Sequence, residues 1–258
     1  MSLKLNTETH VILMIDLHCH MLPAIDDGAV DLEMALRMAR IAVEDGIHTV
    51  ACTPHIYPGL YPNDADGIAA ATQALREALQ NAEIALELTT GADTHIAPDL
   101  LAKIAAGKVP TLGGSRYLLL EPPHHVEPPG FLRFLSSLRE SGIVPVITHP
   151  ERLSWIEVRY ENFVEAVRTG SLMQVTSGSL TGRFGSRAKY WADRMLDEGL
   201  IAVLATDAHS DTRRAPLLAE ARDVVAARLG DDEAVAMTLQ RPAGILANAS
   251  PEQLFITE

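Results

Sequence analysis

Apolar residues in this chain alternate between two rhythms. Short runs of strand length end in polar residues, and each is followed by a longer stretch whose apolar positions recur every three or four residues, as on one helix face. The first run, Val11-Ile12-Leu13-Met14-Ile15-Asp16-Leu17, ends at His18-Cys19-His20. Asp31 then has the character of a helix N-cap. Leu32, Ala35, Leu36, Ala39 and Val43 form the stripe of a helix to about Asp45, and Gly46 stops it. A second strand over 49–53 runs into Pro54-His55, and a Pro- and Tyr-bearing loop over 56–64 leads to a helix over 65–82. Strands are predicted over 84–90, 116–120, 144–148, 172–176 and 201–206, with helices over 99–106, 129–141, 157–168, 186–198, 215–229 and 232–247. Seven strand–helix units in strict alternation predict an α/β fold, a parallel sheet closed into a distorted (β/α)7 TIM-like barrel with one unit fewer than the usual eight. One domain over 1–258 is expected, with residues 1–10 as an N-terminal extension.

In such a barrel the chemistry gathers at the C-terminal ends of the strands. Those ends carry His18 and His20, Asp26 or Asp27, His55, Asp93, Glu121, His149, and Asp207 with His209. The period of two in a strand puts His18 and His20 on one face and turns Cys19 away. Taken singly, each residue has an ordinary reading. Asp27 beside Gly28 suits a turn, Asp93 a surface turn, Glu121 a solvated acid, and His149-Pro150 a helix entry. Those readings do not explain why metal-ligand types recur at six of seven strand ends. Imidazole and carboxylate together suit zinc, iron and manganese, and a carboxylate can bridge two ions about 3.5–4 Å apart. The candidate ligands exceed what one ion needs, so two or three divalent metals are expected. Such a cluster hydrolyses phosphoesters without a protein nucleophile. Cys19 is not expected to serve as one, because its side chain should face the barrel interior and no Gly-rich loop with a following Arg accompanies it.

Composition narrows the class. With 258 residues, 47% hydrophobic, the chain is long enough for one large core. Cys19 and Cys52 give no disulfide framework, which suits a reducing cytoplasm. No apolar run approaches the roughly 18–20 residues of a membrane span, and the first ten residues are polar, so a cytoplasmic protein without membrane insertion is expected. A formal net charge of −13 argues against nucleic acid as a partner, because phosphate backbones are held by clustered Lys and Arg.

Several segments together resemble the PHP (polymerase and histidinol phosphatase) superfamily, and within it the bacterial manganese-dependent tyrosine-protein phosphatases of capsule and exopolysaccharide loci. They are Ile15-Asp16-Leu17-His18-Cys19-His20, Leu22-Pro23 with Asp26-Asp27-Gly28-Ala29, Thr53-Pro54-His55, Tyr117-Leu118-Leu119-Leu120-Glu121, His149-Pro150-Glu151-Arg152, Val175-Thr176-Ser177-Gly178-Ser179-Leu180 with Gly182 and Phe184-Gly185, and Asp207-Ala208-His209. The resemblance implies the PHP fold and a trinuclear centre, manganese first, with iron or zinc as alternatives. His18, His20 and Asp207 would hold one ion and Glu121 with His149 a second. Asp27, His55 and His209 would hold the third, with Asp93 bridging the first two. The family usually has Glu in the slot of Asp93, and the shorter side chain is expected to alter bridging or weaken one ion.

The resemblance also implies that Arg152 and Arg214 grip the phosphate, with Arg213 as the rival of Arg214. The expected mechanism is attack of a metal-bridging hydroxide on the phosphorus, with His55 or a metal-bound water assisting the leaving oxygen. Tyr57 and Tyr61 are placed to stack on a phosphotyrosine ring or simply to pack their loop, and His124 and His125 are expected at the rim rather than among the ligands. The implied substrate is the phosphotyrosine tail of a bacterial tyrosine kinase controlling polysaccharide export. The rivals are a small-molecule phosphatase such as one for histidinol phosphate, a metal-dependent nuclease and an inactive scaffold. Homo-oligomerisation is compatible with the sequence.

Overall fold

The computed structural model of the chain describes residues 13–255, so the expected extension and Val11 and Ile12 of the first run lie outside the described residues. The strands are β1 (Met14–Cys19), β2 (Ile47–Cys52), β3 (His55–Ile56), β4 (Glu87–Thr90), β5 (Asp93–His95), β6 (Tyr117–Glu121), β7 (Val144–Thr148), β8 (Leu172–Thr176) and β9 (Val203–Ala205). Every ladder is parallel. The expected strand positions are all filled, and two continue, after a break, into short strands, β3 and β5, that lie beyond the expected bounds. Pro54 has no N–H with which to continue a ladder, so the second breaks between β2 and β3. The third breaks at Gly91-Ala92, and β4 begins at Glu87 rather than at 84. Gly91 fits there for want of space, since a Cβ would lie 3.0 Å from both Leu112 and Thr53 side chains.

The breaks leave a three-stranded sheet, β1-β2-β4, and a six-stranded one, β3-β5-β6-β7-β8-β9. Backbone hydrogen bonds stitch them into a circuit at the mouth. Gly91 N donates to Cys52 O and Asp93 N to Pro54 O, at 3.0 and 3.1 Å. On the other side Asp207 N donates to His18 O and His20 N to Ala208 O, both at 2.8 Å.

Strand alternation sorts the apolar residues into two layers. Ile15, Leu17, Ala51, Tyr117, Leu119, Val146, Leu172 and Val203 point inward, where Ile245 and Leu254 from the C-terminal segment plug the floor. Leu118, Leu120, Ile147, Met173, Val175 and Leu204 point outward against the helices. Those helices are α1 (Leu32–Glu44), α2 (Ala65–Asn81), α3 (Leu100–Ala105), α4 (Phe131–Glu140), α5 (Ile156–Arg168), α6 (Ser177–Leu180), α7 (Gly185–Asp197), α8 (Ala219–Leu229), α9 (Asp231–Val235) and α10 (Arg241–Leu246). Burying a leucine or phenylalanine in such a layer contributes about 1.5–3 kcal/mol. Asp31 caps α1, accepting from Met34 N, and Asp64 caps α2, accepting from Gly67 N.

Two helices differ from the pattern in the sequence. The one expected from 215 starts at Ala219, because the Asp45 carboxylate accepts from Leu218 N and Ala219 N at 2.5 and 2.8 Å and fixes the entry. The one expected over 232–247 breaks into α9, a π-turn over 236–240 and α10. Pro242, which lacks an N–H, forces that rearrangement.

Candidate metal centre

Inward parity carries the chemistry upward from the apolar floor. Two residues beyond Leu119 stands Glu121, two beyond Leu172 stands Gln174, and four beyond Val203 stands Asp207. Three local distortions add to this. β1 loses register between Asp16 and Cys19, so that His18 and His20 turn into the mouth although Leu17 already faces inward. The buried Asp16 carboxylate holds this bulge, accepting from His18 N at 3.2 Å, Thr206 N at 3.0 Å and the Thr206 hydroxyl. His149 and Asp207 adopt left-handed backbone, φ 34 and φ 50, a strained state that persists where the surroundings fix it and that clusters at functional sites.

Cys19 corrects an expectation. The bulge sends it outward into the layer against the helices rather than into the barrel interior. Burial and the Asp16 charge raise its thiol pKa well above the ordinary value, so it is no nucleophile.

The mouth draws His18, His20, Asp27, His55, Asp93, Glu121, His149, Asp207 and His209 together. Donor atoms converge in overlapping groups: His18, His20 and Asp207; His18, Asp93 and His149; His55, Asp93 and Glu121; and His20, Asp27, His55 and His209. His18 Nε2 lies 3.4 Å from both Asp93 Oδ2 and Asp207 Oδ1, and 3.1 Å from His20 Nε2. His209 Nε2 and His55 Nε2 each lie 3.5 Å from Asp27 Oδ1. Asp93 touches both His18 and His149, the latter at 3.8 Å. Two donors each about 2.1 Å from one cation stand about 3.0–3.4 Å apart, so these spacings are close to those of shared ligands.

Hydrogen bonds fix which nitrogens face inward. His18 Nδ1 contacts Gln174 Oε1 at 2.9 Å, His20 Nδ1 contacts Asp26 Oδ2 at 2.7 Å, and His209 Nδ1 contacts the Asp207 carbonyl at 3.0 Å. A ring that donates from Nδ1 keeps its Nε2 lone pair for a metal. Asp26 therefore orients His20, and Asp27 is the candidate ligand. Both Asp93 oxygens and His149 Nδ1 are buried without a hydrogen-bond partner. Leaving a buried carboxylate unpaired is costly, and divalent cations are the groups that this donor set fits.

The charge balance agrees. Burial opposes protonation of His18, yet Asp93 and Asp207 outweigh it and raise its pKa to about 9. Burial likewise opposes a charge on His55, but Glu121, Asp93 and Asp27 lift it to about 10. Burial works to raise Glu121, while His124, His55 and His95 hold it below the usual carboxylate range. Burial, reinforced by the rings of His209 and His55, keeps His20 well below the ordinary value. The cavity demands positive charge but keeps some imidazoles neutral, as ligation requires.

Asp207 joins this cluster to the arginines. Its Oδ1 faces His18 and His20, while Oδ2 accepts from Arg152 and, at 2.6 Å, from Arg214 Nη2. Both guanidinium groups lie over the Phe184 ring. Arg152 and Arg214 line the cleft above the cluster, together with Tyr57, Leu60 and Tyr61, whereas Arg213 lines a neighbouring depression that Arg214 shares. The tyrosines already have aromatic partners: Tyr57 stacks on His95 at 4.0 Å and Tyr61 on His55 at 5.6 Å. His125 stays outside the donor groups, but His124 forms one with Glu121 and His149. His95 and Gln174 are not among the residues the sequence pattern predicts for the site. For His95 the available signal was its parity with Asp93 on β5.

Comparison with known proteins follows the same lines. Residues 14–247 match the family model described as capsular polysaccharide synthesis, CpsB/CapC. The chain belongs to the CpsB/CapC family. Among CpsB/CapC relatives, it is 36% identical over 197 residues to the tyrosine-protein phosphatase YwqE of Bacillus subtilis (strain 168), covering 76% of this chain and 78% of that one. It is 28% identical over 238 residues to the tyrosine-protein phosphatase CpsB of Streptococcus pneumoniae, covering 90% and 98%. A solved structure from a study of YwqE of Bacillus subtilis and CpsB of Streptococcus pneumoniae, described as unique metal-dependent tyrosine phosphatases, superposes with a TM-score of 0.88. It is 33% identical and covers 92% of this chain and 96% of that one. Among the described residues no helix is long and apolar enough to cross a membrane.

Proposed function

We propose that this chain is a metal-dependent protein-tyrosine phosphatase, one catalytic domain over 1–258, that acts in the cytoplasm on the phosphotyrosine tail of a bacterial kinase controlling polysaccharide export. The observation that carries the reading is the buried, hydrogen-bond-orphaned Asp93 carboxylate, set among histidines in a cluster that Asp207 joins to two arginines. His18, His20 and Asp207 would hold one ion, Glu121 and His149 a second, and Asp27, His55 and His209 a third, with Asp93 in reach of ligands of the first two. When bound, divalent metals, manganese first and iron or zinc as alternatives, supply Lewis acidity that polarises the phosphoryl group and activates water.

The chain's own groups do the rest. Arg152 and Arg214 present planar forks to the non-bridging phosphoryl oxygens, and their shared partner Asp207 keeps them beside the ligand cluster. The Phe184 ring beneath both holds the guanidinium planes in place. Tyr57 and Tyr61, steadied by His95 and His55, wall the side on which a phenol ring would lie. His55 has both nitrogens facing carboxylates, Nδ1 towards Glu121 at 3.4 Å and Nε2 towards Asp27 at 3.5 Å. This favours a ligand role for His55, and a phenol of pKa about 10 departs without a strong acid.

The test is to strip the protein with chelator, restore manganese, and assay p-nitrophenyl phosphate, a phosphotyrosine peptide and histidinol phosphate in parallel. Activity should vanish on stripping, return with metal, and favour the phosphotyrosine peptide. Undiminished turnover after stripping, or preference for histidinol phosphate, would overturn the assignment.

A further inference from the structure

Glu121 is ringed by more imidazoles than the family resemblance supplies. His55 Nδ1 and His95 Nδ1 lie 3.4 and 3.6 Å from Oε2, while His124 Nε2 and His149 Nε2 lie 3.5 and 3.9 Å from Oε1. These separations exceed the 2.7–2.9 Å or so of a charge-assisted hydrogen bond. They are nearer to the spacing of donors that share a cation.

His124 is delivered to this place by design of the loop. Its carbonyl accepts from Ser154 N at 2.9 Å and Ser154 Oγ at 3.0 Å, and the Pro123 carbonyl accepts from Trp155 Nε1 at 2.8 Å. A pinned backbone holds the ring over Glu121, tilted 31° to His149 with centroids 5.2 Å apart. The next residue, His125, shares the loop but joins no donor group.

Asp93 gives this corner a reason to need another ligand. Its Oδ2 is 3.4 Å from His18 but 3.8 Å from His149, so the short carboxylate stands nearer to the first site's histidine than to the second's. We propose that His124 is a further ligand of the ion assigned to Glu121 and His149, supplying the donor that Asp93 provides only at longer reach. The proposal rests on the metal-centre reading above. At 35% exposure against 3% for His149, His124 opens this site onto the substrate cleft, which both residues line.

The experiment is a calorimetric manganese titration of chelator-stripped full-length protein, with bound metal counted after dialysis and the visible spectrum recorded on cobalt loading. It uses wild type, His124→Ala, His124→Gln, His125→Ala and His149→Ala. Both His124 variants should weaken one class of sites at least about tenfold and change the cobalt spectrum, while their metal-free melting curves match wild type. His125→Ala should match wild type throughout. Unchanged stoichiometry, affinity and spectrum in the His124 variants, with a site lost in His149→Ala, would overturn the role of His124 alone. Unchanged binding in His149→Ala as well would remove the second metal site and the proposal with it.

Discussion

The floor and the mouth of the barrel are lined by the same strands and bury opposite things. On β6, Tyr117 and Leu119 face an apolar plug completed by Ile245 and Leu254, while Glu121, one inward position higher, meets a ring of histidines. On β9, Val203 belongs to the floor and Asp207 lies beyond the strand's end, on a left-handed backbone. The floor is satisfied by its own contacts. The mouth is not, since Asp93 and His149 keep buried polar atoms without partners. Folding free energy gained below thus holds together a site above that the chain alone leaves electrostatically incomplete.

The largest expected effect separates the two halves. His18→Ala should lower phosphatase activity by about a thousandfold or more, equivalent to about 4 kcal/mol of transition-state stabilisation, while the metal-free protein still folds. Leu119→Ala should do the reverse, costing about 2–5 kcal/mol of stability with activity per folded molecule preserved. Denaturant titration beside a p-nitrophenyl phosphate assay reads both. A His18→Ala protein that unfolds, or a Leu119→Ala protein that stays folded but inactive, would break the division.

How much of this contrast was legible in the sequence depends on whether a feature is set locally. Glu121 and Asp207 follow apolar strands whose period of two points straight at the mouth, and the helices capped by Asp31 and Asp64 carry their own start signals. The fate of Cys19 was not legible. The bulge that turns it outward is held by a hydrogen bond between Asp16 and Thr206, 190 residues apart, and no local pattern encodes that. The start of α8 is likewise imposed from a distance, by the Asp45 carboxylate. His124 stands in a Pro-rich loop without periodicity, so its side chain could be aimed only by the contacts of Ser154 and Trp155.

A smaller effect sharpens the claim that the mouth is completed from outside. Manganese at about a hundred times its dissociation constant should stabilise the stripped wild-type protein by about 2.7 kcal/mol per independent site. Leu119→Ala, though less stable, should gain the same increment because its mouth is intact. His18→Ala should gain less. Equal metal-induced shifts in all three proteins would mean that the ions bind elsewhere.

The smallest effect distinguishes neighbours. Asp26 and Asp27 are adjacent carboxylates at the same rim, yet only Asp27 faces His55 Nε2 and His209 Nε2. Asp26 instead contacts His20 Nδ1 at 2.7 Å and accepts from His55 N at 3.0 Å and Gly28 N at 2.9 Å. A carboxylate behind a ligating imidazole fixes its tautomer and raises its basicity, and losing one weakens metal binding about 10- to 100-fold. Asp26→Asn keeps the size and one acceptor oxygen but removes the charge, so metal affinity should fall within that range while the number of ions bound at saturation is unchanged. Asp27→Asn removes a donor from the cluster and should lower that number by one. If the two variants behaved alike, the separation of an orienting carboxylate from a coordinating one would fail, and with it the assignment of His20 Nε2 as the atom that faces the ion.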